Sequence, residues 1–328
     1  MNEMSNRLVS IIIVTCGRRD YLRSCLDSIK KQAYSALEII VIDNSLNPNF
    51  SQEIIKRYPE VKLHASLKNL PYCGALNKGI EISKGYFILC LNDDVTLDEG
   101  FIEKALGGFS INKKIGMVSG KILRSDGKAI DSTGLFLSIW HTAKERGYGL
   151  KDIGQFEKEE YIFGVNGAVA FYRREMLENI KIGSDYFDTD YRFFYEDLDT
   201  AWRGQNFGWE AYYIPEAIAY HVRGATARAG YGIDKPYARR YLNSDLHLDL
   251  IKNRYLTFIK NESFFRFVLY LPFILLYDFL VWGYILIFRP SLIKKFLLNL
   301  KYLKSAFKKR RLVKKVENQK MLDKNNML

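Results

Sequence analysis

The first hundred residues alternate short apolar runs with segments of helical spacing, and this alternation restricts the chain to few folds. Residues 8–15 form a continuous, β-branched apolar run, and residues 21–32 carry apolar side chains at positions 22, 25, 26 and 29. The run is typical of a parallel strand covered on both faces, whereas the spacing places apolar side chains on one face of a helix. The predicted strands are residues 8–15, 37–42, 61–65 and 86–91, with predicted helices at 21–32, 50–58 and 75–83. This order predicts an α/β fold with a doubly wound, mostly parallel sheet and helices on both faces.

Two acidic clusters lie about a hundred residues apart. Asn92-Asp93-Asp94 follows the apolar run 86–91, and Glu196-Asp197 follows three aromatic residues. Ligands bind just outside the carboxyl ends of strands in open α/β sheets, and carboxylates there can hold a divalent cation that in turn holds phosphates. Aromatic surroundings raise the proton affinity of a carboxylate, which suits a general base. The alternative for the first cluster is capping of a helix predicted at 97–106.

Further polar residues stand where strands or helices are expected to end or begin. Thr15 and Asp43 follow the first two strands and could frame a flat heterocycle, although Asp43 could equally cap the turn with Asn44 and Ser45. Gly74 opens a predicted helix. It either lets the backbone approach a phosphate or ribose or has only a structural role in the loop and the helix cap. The chain has no Gly-x-Gly-x-x-Gly or Walker loop, which argues against a nicotinamide or ATP enzyme.

Two other residues have an open choice between a functional and a structural use. His221 follows a predicted strand and is either a metal ligand or a structural histidine. Arg203 lies four residues after Asp199, which is the spacing of an ion pair on a helix.

The positive charge is confined to the C-terminal part of the chain. The net charge is +12, and residues 289–328 hold 13 Lys or Arg against Glu317 and Asp323. The first 288 residues are therefore almost neutral, with a net charge of +1. This distribution argues against a nucleic-acid-binding protein, whose folded domain should carry the basic surface.

The composition changes near residue 260. Residues 267–288 carry one charge, Asp278, and a proline, Pro272, and residues 293–316 combine an apolar stripe with many Lys and Arg. We therefore expect a catalytic domain at 1–260, with a nucleotide-binding half at about 1–100 and an acceptor half at about 101–260, followed by membrane-associating helices and a basic tail at 261–328. The apolar segment is long enough to cross a bilayer. Asp278, Pro272 and the +11 tail favour a monotopic or re-entrant arrangement on anionic lipid, with a true span or a dimer or core interface as alternatives.

Several short segments follow one another along residues 8–225, and they are Ser10-Ile11-Ile12-Ile13-Val14-Thr15, Val41-Ile42-Asp43-Asn44-Ser45, Leu91-Asn92-Asp93-Asp94-Val95, Gly164-Val165-Asn166-Gly167-Ala168, Phe187-Asp188, Phe194-Tyr195-Glu196-Asp197-Leu198-Asp199, Trp202-Arg203 and Tyr220-His221. In these segments and in their order, the chain resembles the family 2 glycosyltransferases of GT-A fold, particularly the bacterial rhamnosyltransferase-like branch. The acidic motif begins with Asn92 rather than Asp, which shifts the expected roles to Asp93 and Asp94.

The resemblance implies a role for each of these residues. Asp94 would ligate Mg²⁺ or Mn²⁺ together with His221, and Asp197 would be the catalytic base with Glu196 beside it. Thr15 and Asp43 would contact the base of the donor, and Asp93 would lie near its ribose. The full set of expected donor-binding residues is Thr15, Asp43, Asn44, Gly74, Asn77, Asn92, Asp93 and Arg203.

The implied activity is inverting transfer of a sugar, in a single displacement, from a nucleoside-diphosphate sugar such as dTDP-rhamnose or a UDP-sugar. The expected acceptor is a saccharide, lipid-linked because of the predicted membrane helices, in bacterial cell-surface polysaccharide synthesis. The first apolar run is too short for a signal peptide, so the expected location is the cytoplasmic face of the bacterial inner membrane. The alternative activity is that of a sugar-1-phosphate nucleotidyltransferase, whose basic, Gly-rich loop after the first strand is only partly matched by Gly17-Arg18-Arg19.

Overall fold

Four parallel strands form one half of the central sheet in a computed structural model, which describes residues 6–223 and 242–325. Their spatial order is β4-β1-β2-β3, and the strands and the helices between them are β1 Val9–Thr15, α1 Arg19–Lys30, β2 Leu37–Asp43, α2 Pro48–Arg57, β3 Lys62–Ala65, α3 Tyr72–Ile82 and β4 Phe87–Asn92. Thr15 pairs in register with Asp43, and Val14 pairs with Asn92. The predicted doubly wound start of the chain is confirmed, and the ends of β1, β2 and β4 meet at one edge.

The apolar runs of the first sheet half are continuous because helices cover both faces. In β1, Ile11 and Ile13 join one buried cluster, while Ile12 and Val14 join the cluster on the other face. Alternate side chains of a strand point to opposite faces, so a strand buried on both sides needs apolar residues at every position.

The second half of the sheet mixes parallel and antiparallel pairs. Its elements are β5 Val95–Leu97, α4 Phe101–Ile111, β6 Ile115–Arg124, β7 Ile130–Ser132, β8 Leu135–Leu137, β9 Ala143–Glu145, β10 Glu160–Ile162, β11 Val169–Arg173, α5 Arg174–Asn179, α6 Glu196–Asn206 and β12 Glu210–His221. The full order is β10-β12-β6-β11-β4-β1-β2-β3, with β5 on β12, β7 on β6, and β8–β9 as a separate hairpin. β11 lies antiparallel between β4 and β6.

The helix predicted at 97–106 is wrong at its start. Val95–Leu97 is a short strand that pairs antiparallel with β12, and the helix begins at Phe101. Val95 and Leu97 are buried while Thr96 is half-buried, which is the alternation of a strand. The pairing sets His221 opposite Val95, directly beside Asp94.

Four helices follow the sheet, and one of them is long and apolar. They are α7 Ser244–Asn261, α8 Phe264–Phe288, α9 Ser291–Leu298 and α10 Leu300–Asn325. Among the described residues, α8 alone has the length and composition to cross a membrane, and 11% of its most apolar window is buried. The segment 293–316, which carries the apolar stripe, belongs to two helices that are divided at Asn299, whereas α8 continues through Pro272.

Helix α8 lies antiparallel along α7. Asp278 pairs with Arg254 at 2.6 Å, and Trp282 Nε1 donates to Tyr255 Oη at 2.9 Å. Further along, the Tyr284 ring stacks on His247, and Arg289 Nη1 donates to the Leu242 carbonyl at 2.9 Å. The contacts of Asp278 and Trp282 are with Arg254 and Tyr255, whereas those further along α8 are with His247 and Leu242, so α8 runs antiparallel to α7 and exposes its other face.

Candidate active site

Asp93 and Asp94 lie at the carboxyl end of β4 and are bridged by one guanidinium. Arg18 Nη1 lies 3.3 Å from Asp94 Oδ2, and its Nη2 pairs with Asp93 Oδ1. Thr15 Oγ1 donates to Asp93 Oδ2 at 2.7 Å, which ties the end of β1 to the acidic pair. Burial raises the pKa of Asp93, while Arg18 and the Thr15 hydroxyl oppose the rise. Sequence analysis assigned no role to Arg18 in this pair, because no local pattern aims its side chain at β4.

His221 reaches Asp94 from the end of β12. Its Nε2 lies 3.4 Å from Asp94 Oδ1, and its Nδ1 lies 2.8 Å from Asp131 Oδ2. The backbone N–H of Val222 also donates to the Asp94 carbonyl at 3.1 Å. Burial opposes protonation of His221, but hydrogen bonds to Asp131 and Asp94 outweigh it and raise the pKa of the imidazole.

The donor set at Asp94 and His221 fits a divalent cation. A carboxylate oxygen and an imidazole nitrogen are ordinary ligands for such an ion. A histidine that binds metal through one nitrogen commonly uses the other on a carboxylate, and Asp131 takes that position here. Within residues 6–223 and 242–325, no three His, Cys, Asp or Glu side chains gather into a metal-holding group, so the described residues contribute Asp94 and His221 as two candidate ligands.

Glu196 and Asp197 occupy the first turn of α6. The Gly167 N–H donates to Asp197 Oδ2 at 3.0 Å, and the Leu198 N–H donates to Oδ1 at 2.7 Å. A Cβ at Gly167 would lie 3.3 Å from both Asp197 Oδ2 and Glu196 Oε1, so a larger residue would crowd both carboxylates. Burial and the charge of Asp197 raise the pKa of Glu196, and burial also raises the pKa of Asp197 against its two N–H donors. Because those donors favour the charged form, Asp197 is the member of the pair suited to be ionised near neutral pH.

A third carboxylate, half-buried like the other two, stands beside this pair. Glu145, at the end of β9, accepts hydrogen bonds from Ser132 Oγ and from Asn166 Nδ2, the latter at 2.7 Å. Burial and the neighbouring charge of Asp197 raise the pKa of Glu145 to about 7. No sequence signal marked Glu145 or Asp131, because both lie on strands of only three residues, which are too short to give a clear sequence pattern.

The segment Asn166–Ala168 connects the two acidic clusters. Asn166 Oδ1 accepts from the Ala168 N–H at 2.8 Å, and the Ala168 carbonyl accepts from the Asn92 N–H at 2.9 Å. The residue between them, Gly167, is the one that donates to Asp197. The end of β4 and the start of α6 are therefore joined through three consecutive residues.

Several predicted donor-binding residues hold loops in place. Asp43 accepts from the Ser45 N–H at 2.7 Å and from Ser51 Oγ at 2.5 Å, which is the turn-capping alternative. The Asn44 side chain bonds both backbone groups of Leu70, at 3.0 and 3.3 Å. Both nevertheless stand at the same sheet edge as Thr15.

Three other members of the predicted set lie on or against α3. Asn92 Oδ1 accepts from Tyr72 Oη at 2.8 Å. Gly74 falls inside the first turn of α3, because that helix begins at Tyr72 rather than at the predicted residue 75. The Asn77 side chain bonds the backbone N–H and carbonyl of Phe187, both at 2.8 Å.

Arg203 is not brought to the sheet edge. Its side chain is fully buried, with Nε 3.1 Å from Asp199 Oδ2 and Nη2 donating to the Tyr186 carbonyl at 2.9 Å. Its Nη1 donates to the Ile180 carbonyl. The i,i+4 ion pair considered from the sequence is present, and the guanidinium is held by these internal bonds.

A ten-stranded mixed sheet with paired carboxylates at its carboxyl edge has the architecture of the GT-A glycosyltransferases. Among solved structures, the chain resembles S. aureus TarS 1-349 in complex with UDP-GlcNAc, with a TM-score of 0.59 and 14% identity, covering 96% of this chain and 92% of that one. It also resembles the mannosyltransferase PcManGT from Pyrobaculum calidifontis in complex with GDP-Man and Mn²⁺, with a TM-score of 0.53 and 14% identity, covering 97% of this chain and 88% of that one. These likenesses show the fold.

Residues 10–181 match the model of the family "Glycosyl transferase family 2", and the chain belongs to that family. A poly-β-1,6-N-acetyl-D-glucosamine synthase of Staphylococcus epidermidis is 22% identical over 218 residues, 65% of this chain and 49% of the synthase. The chain therefore spans about half the length of that relative. An N-acetylglucosaminyl-diphospho-decaprenol L-rhamnosyltransferase of Mycobacterium tuberculosis is 23% identical over 251 residues, 67% of this chain and 78% of that enzyme.

Proposed function

We propose that the protein is an inverting glycosyltransferase that moves a sugar from a nucleoside-diphosphate sugar to a saccharide acceptor carried on a membrane lipid. The observation that best supports this proposal is that the site holds two carboxylates in different surroundings. Asp94 faces His221 at 3.4 Å on one side, and Asp197 accepts two backbone N–H bonds on the other. The first suits a cation and a diphosphate, and the second suits proton removal.

The donor occupies the sheet edge formed by β1, β2 and β4. Thr15, Asp43 and Asn44 stand where a base would lie, and Asp93 stands next to them for the ribose. Asp94 and His221 would hold Mg²⁺ or Mn²⁺, and the ion would attract the diphosphate of the donor. The bound ion would offset the negative charge that builds on the diphosphate as the sugar leaves.

Asp197 acts as the general base. It accepts the proton of the acceptor hydroxyl, whose oxygen attacks the anomeric carbon as the bond from that carbon to the diphosphate breaks. The products are the new glycosidic bond and the nucleoside diphosphate, and the proton stays on Asp197 until solvent removes it. Glu196, whose pKa is raised by burial, is suited to remain protonated beside it.

The donor sugar is proposed to be rhamnose from dTDP-rhamnose or a sugar from a UDP-sugar. The rhamnosyltransferase named among the relatives supports the first, and the neighbour solved with UDP-GlcNAc supports the second. A panel of nucleotide sugars should separate them.

The C-terminal helices are proposed to lie on the cytoplasmic face of a bacterial inner membrane without crossing it. Lys309 pairs with Asp190 at 2.7 Å, and Arg310 Nη1 donates to the Ile259 carbonyl at 2.7 Å, so α10 returns to the side of α8 from which the chain entered. The outward face of α8 exposes Phe279 by 76% and Leu286 by 64%. Exposed basic residues of α9 and α10 suit anionic lipid and are Lys294, Lys301, Lys304, Lys308 and Arg311.

A short hairpin connects α8 with the catalytic carboxylates, which supports a lipid-linked acceptor. Trp140 packs edge-on against Phe273 of α8 with ring centroids 5.8 Å apart. Glu145 follows five residues later beside Asn166 and Gly167, so the connecting chain spans at most about 18 Å. A sugar attached to a lipid headgroup would need to reach only this far above the membrane.

The experiment measures metal-dependent release of nucleoside diphosphate from the sugar-nucleotide panel, with lipid-linked and free saccharide acceptors. Asp94→Ala should abolish metal-dependent turnover, and Asp197→Asn should keep donor binding while turnover falls about a hundred- to ten-thousandfold. Glu216→Gln, an exposed carboxylate on β12, serves as the matched control and should behave as wild type. Pyrophosphate as the product would establish the nucleotidyltransferase alternative, and near-normal turnover in Asp197→Asn would remove Asp197 from its role.

A further inference from the structure

One face of α7 carries four buried polar side chains at four-residue spacing. Asp249 is 4% exposed, Asn253 0%, Thr257 1% and Asn261 1%. Residues four apart lie on the same face of a helix, so these side chains form one stripe. Buried polar groups are retained when they have partners, and each member of this stripe has at least one partner between residues 191 and 199.

The stripe bonds the segment that leads into the catalytic pair. Asp249 Oδ2 lies 2.8 Å from Arg192 Nε, and Thr257 Oγ1 lies 2.8 Å from Tyr191 Oη. At the far end, Asn261 Nδ2 donates to Asp199 Oδ1 at 2.7 Å. The helix therefore holds the segment on both sides of Glu196 and Asp197.

Asn253 lies in the middle of the stripe and holds the most unusual backbone of the site. Its amide nitrogen donates to the Phe193 carbonyl at 2.7 Å and to the Phe194 carbonyl at 2.9 Å. Phe194 has a φ of 70° and Tyr195 a φ of 71°, a left-handed conformation that large side chains rarely adopt. Such backbone persists only where surrounding groups enforce it, and here it directly precedes Glu196.

We propose that Asn253 is a positioning residue for Asp197. By binding two successive carbonyls, its amide fixes the left-handed turn that starts α6 and so aims the Asp197 carboxylate at the acceptor. This inference rests on the proposed role of Asp197 as the base. Asn253 acts through the backbone alone and has no contact with donor or acceptor in this role.

The test compares Asn253→Asp with Asn243→Ala in the full-length protein. Asn253→Asp keeps the size of the side chain but removes both N–H donors. Asn243→Ala removes the side chain that caps α7 and accepts from the Asp245 and Leu246 N–H groups, far from the catalytic segment. A carboxylate displaced by about 1 Å can cost about a hundredfold in rate. We expect kcat of Asn253→Asp to fall roughly ten- to a hundredfold, with KM for the donor within about twofold and a shifted pH profile of kcat.

Asn243→Ala should lower the melting temperature but keep kcat and its pH profile. Asn253→Ser, which retains one hydrogen-bond donor, should have an intermediate kcat. If Asn253→Asp does not fold, the kcat of Asn253→Ser tests whether Asn253 positions Asp197. Wild-type kcat and pH profile in a folded Asn253 variant would overturn the inference, provided that Asp197→Asn is inactive. If Asp197→Asn were itself active, the proposed function would fail instead, so the two failures are distinguishable.

Discussion

Asp131 accepts a hydrogen bond from His221 Nδ1 at 2.8 Å, which leaves His221 Nε2 facing Asp94. Asp131 has no exposed surface and also pairs with Arg223 at 2.7 Å. The carboxylate thus fixes which imidazole nitrogen is offered to the sheet edge, which is the support that a metal-binding histidine requires.

Replacing this carboxylate should weaken metal binding. In Asp131→Asn the orientation of His221 is lost, and we expect the Mn²⁺ concentration for half-maximal turnover to rise about ten- to a hundredfold. A metal titration of activity measures it, with Asp126→Asn, an exposed aspartate in the turn before β7, as control. An unchanged titration curve in a folded Asp131→Asn would show that the histidine needs no such support.

The half-buried Glu145 should make the fold less stable as pH rises. Its pKa is raised to about 7 from an ordinary value of 4.5, so the folded chain binds more protons than the unfolded chain between these values. The free energy of unfolding therefore falls as pH rises through this window, by about 3 kcal/mol in total. Denaturant titrations of Glu145→Gln from pH 4.5 to 7 should show a flatter dependence than wild type, and exposed Glu159→Gln should not. Identical slopes for wild type and Glu145→Gln would contradict the assignment.

Arg203 is expected to matter for stability rather than for the donor. Arg203→Ala removes a buried partner of Asp199 and two bonds to carbonyls, which should cost about 3–5 kcal/mol of unfolding free energy. Arg203→Lys cannot reproduce the planar fork and should also destabilise, yet keep KM for the donor within about twofold. Arg57→Lys, at an exposed position, is the matched control. A large rise in KM for the donor with normal stability would instead show that Arg203 contacts the donor.

Membrane binding should depend on the outward face of α8. Phe279 and Leu286 are seven residues apart and share that face, so Phe279→Gln with Leu286→Gln removes apolar contact worth about 1.5–3 kcal/mol per side chain. Flotation with vesicles containing anionic lipid should show at least a tenfold loss of affinity, while turnover of a free saccharide acceptor changes less than about twofold. The double variant Ile55→Gln with Leu67→Gln removes exposed apolar surface on the nucleotide side and should still bind. Equal vesicle binding by both double variants would exclude α8 as the docking face.

Sequence patterns located the elements whose signal is local. The strand before Asp93 and the helix after Glu196 follow from apolar runs and spacing, and the carboxyl-edge rule placed Thr15, Asp43 and Asp94 together. Arg18, Asp131 and Glu145 were missed because their positions depend on hairpins and on the pairing of β5 with β12. Such contacts are set by tertiary packing, which local propensity does not encode.

Because tertiary packing is not visible in local sequence patterns, the partners of the predicted donor-binding residues could not be foreseen either. A side chain at the right edge can be used either for a ligand or for a loop, and the sequence pattern is identical in both cases. Asn77 bonds the backbone of Phe187, and Arg203 pairs with Asp199 and with backbone carbonyls inside the fold.

The pairing of β5 with β12 has a consequence for how the enzyme is made. Asp94 emerges early from the ribosome, whereas His221 and its strand follow only after most of the sheet has been synthesised. Contacts between distant parts of a chain form late because the intervening loop must first be closed. The side chains of Asp94 and His221 would therefore meet only after β12 has joined the sheet, and the donor site proposed at this edge would be assembled only when its framework is complete.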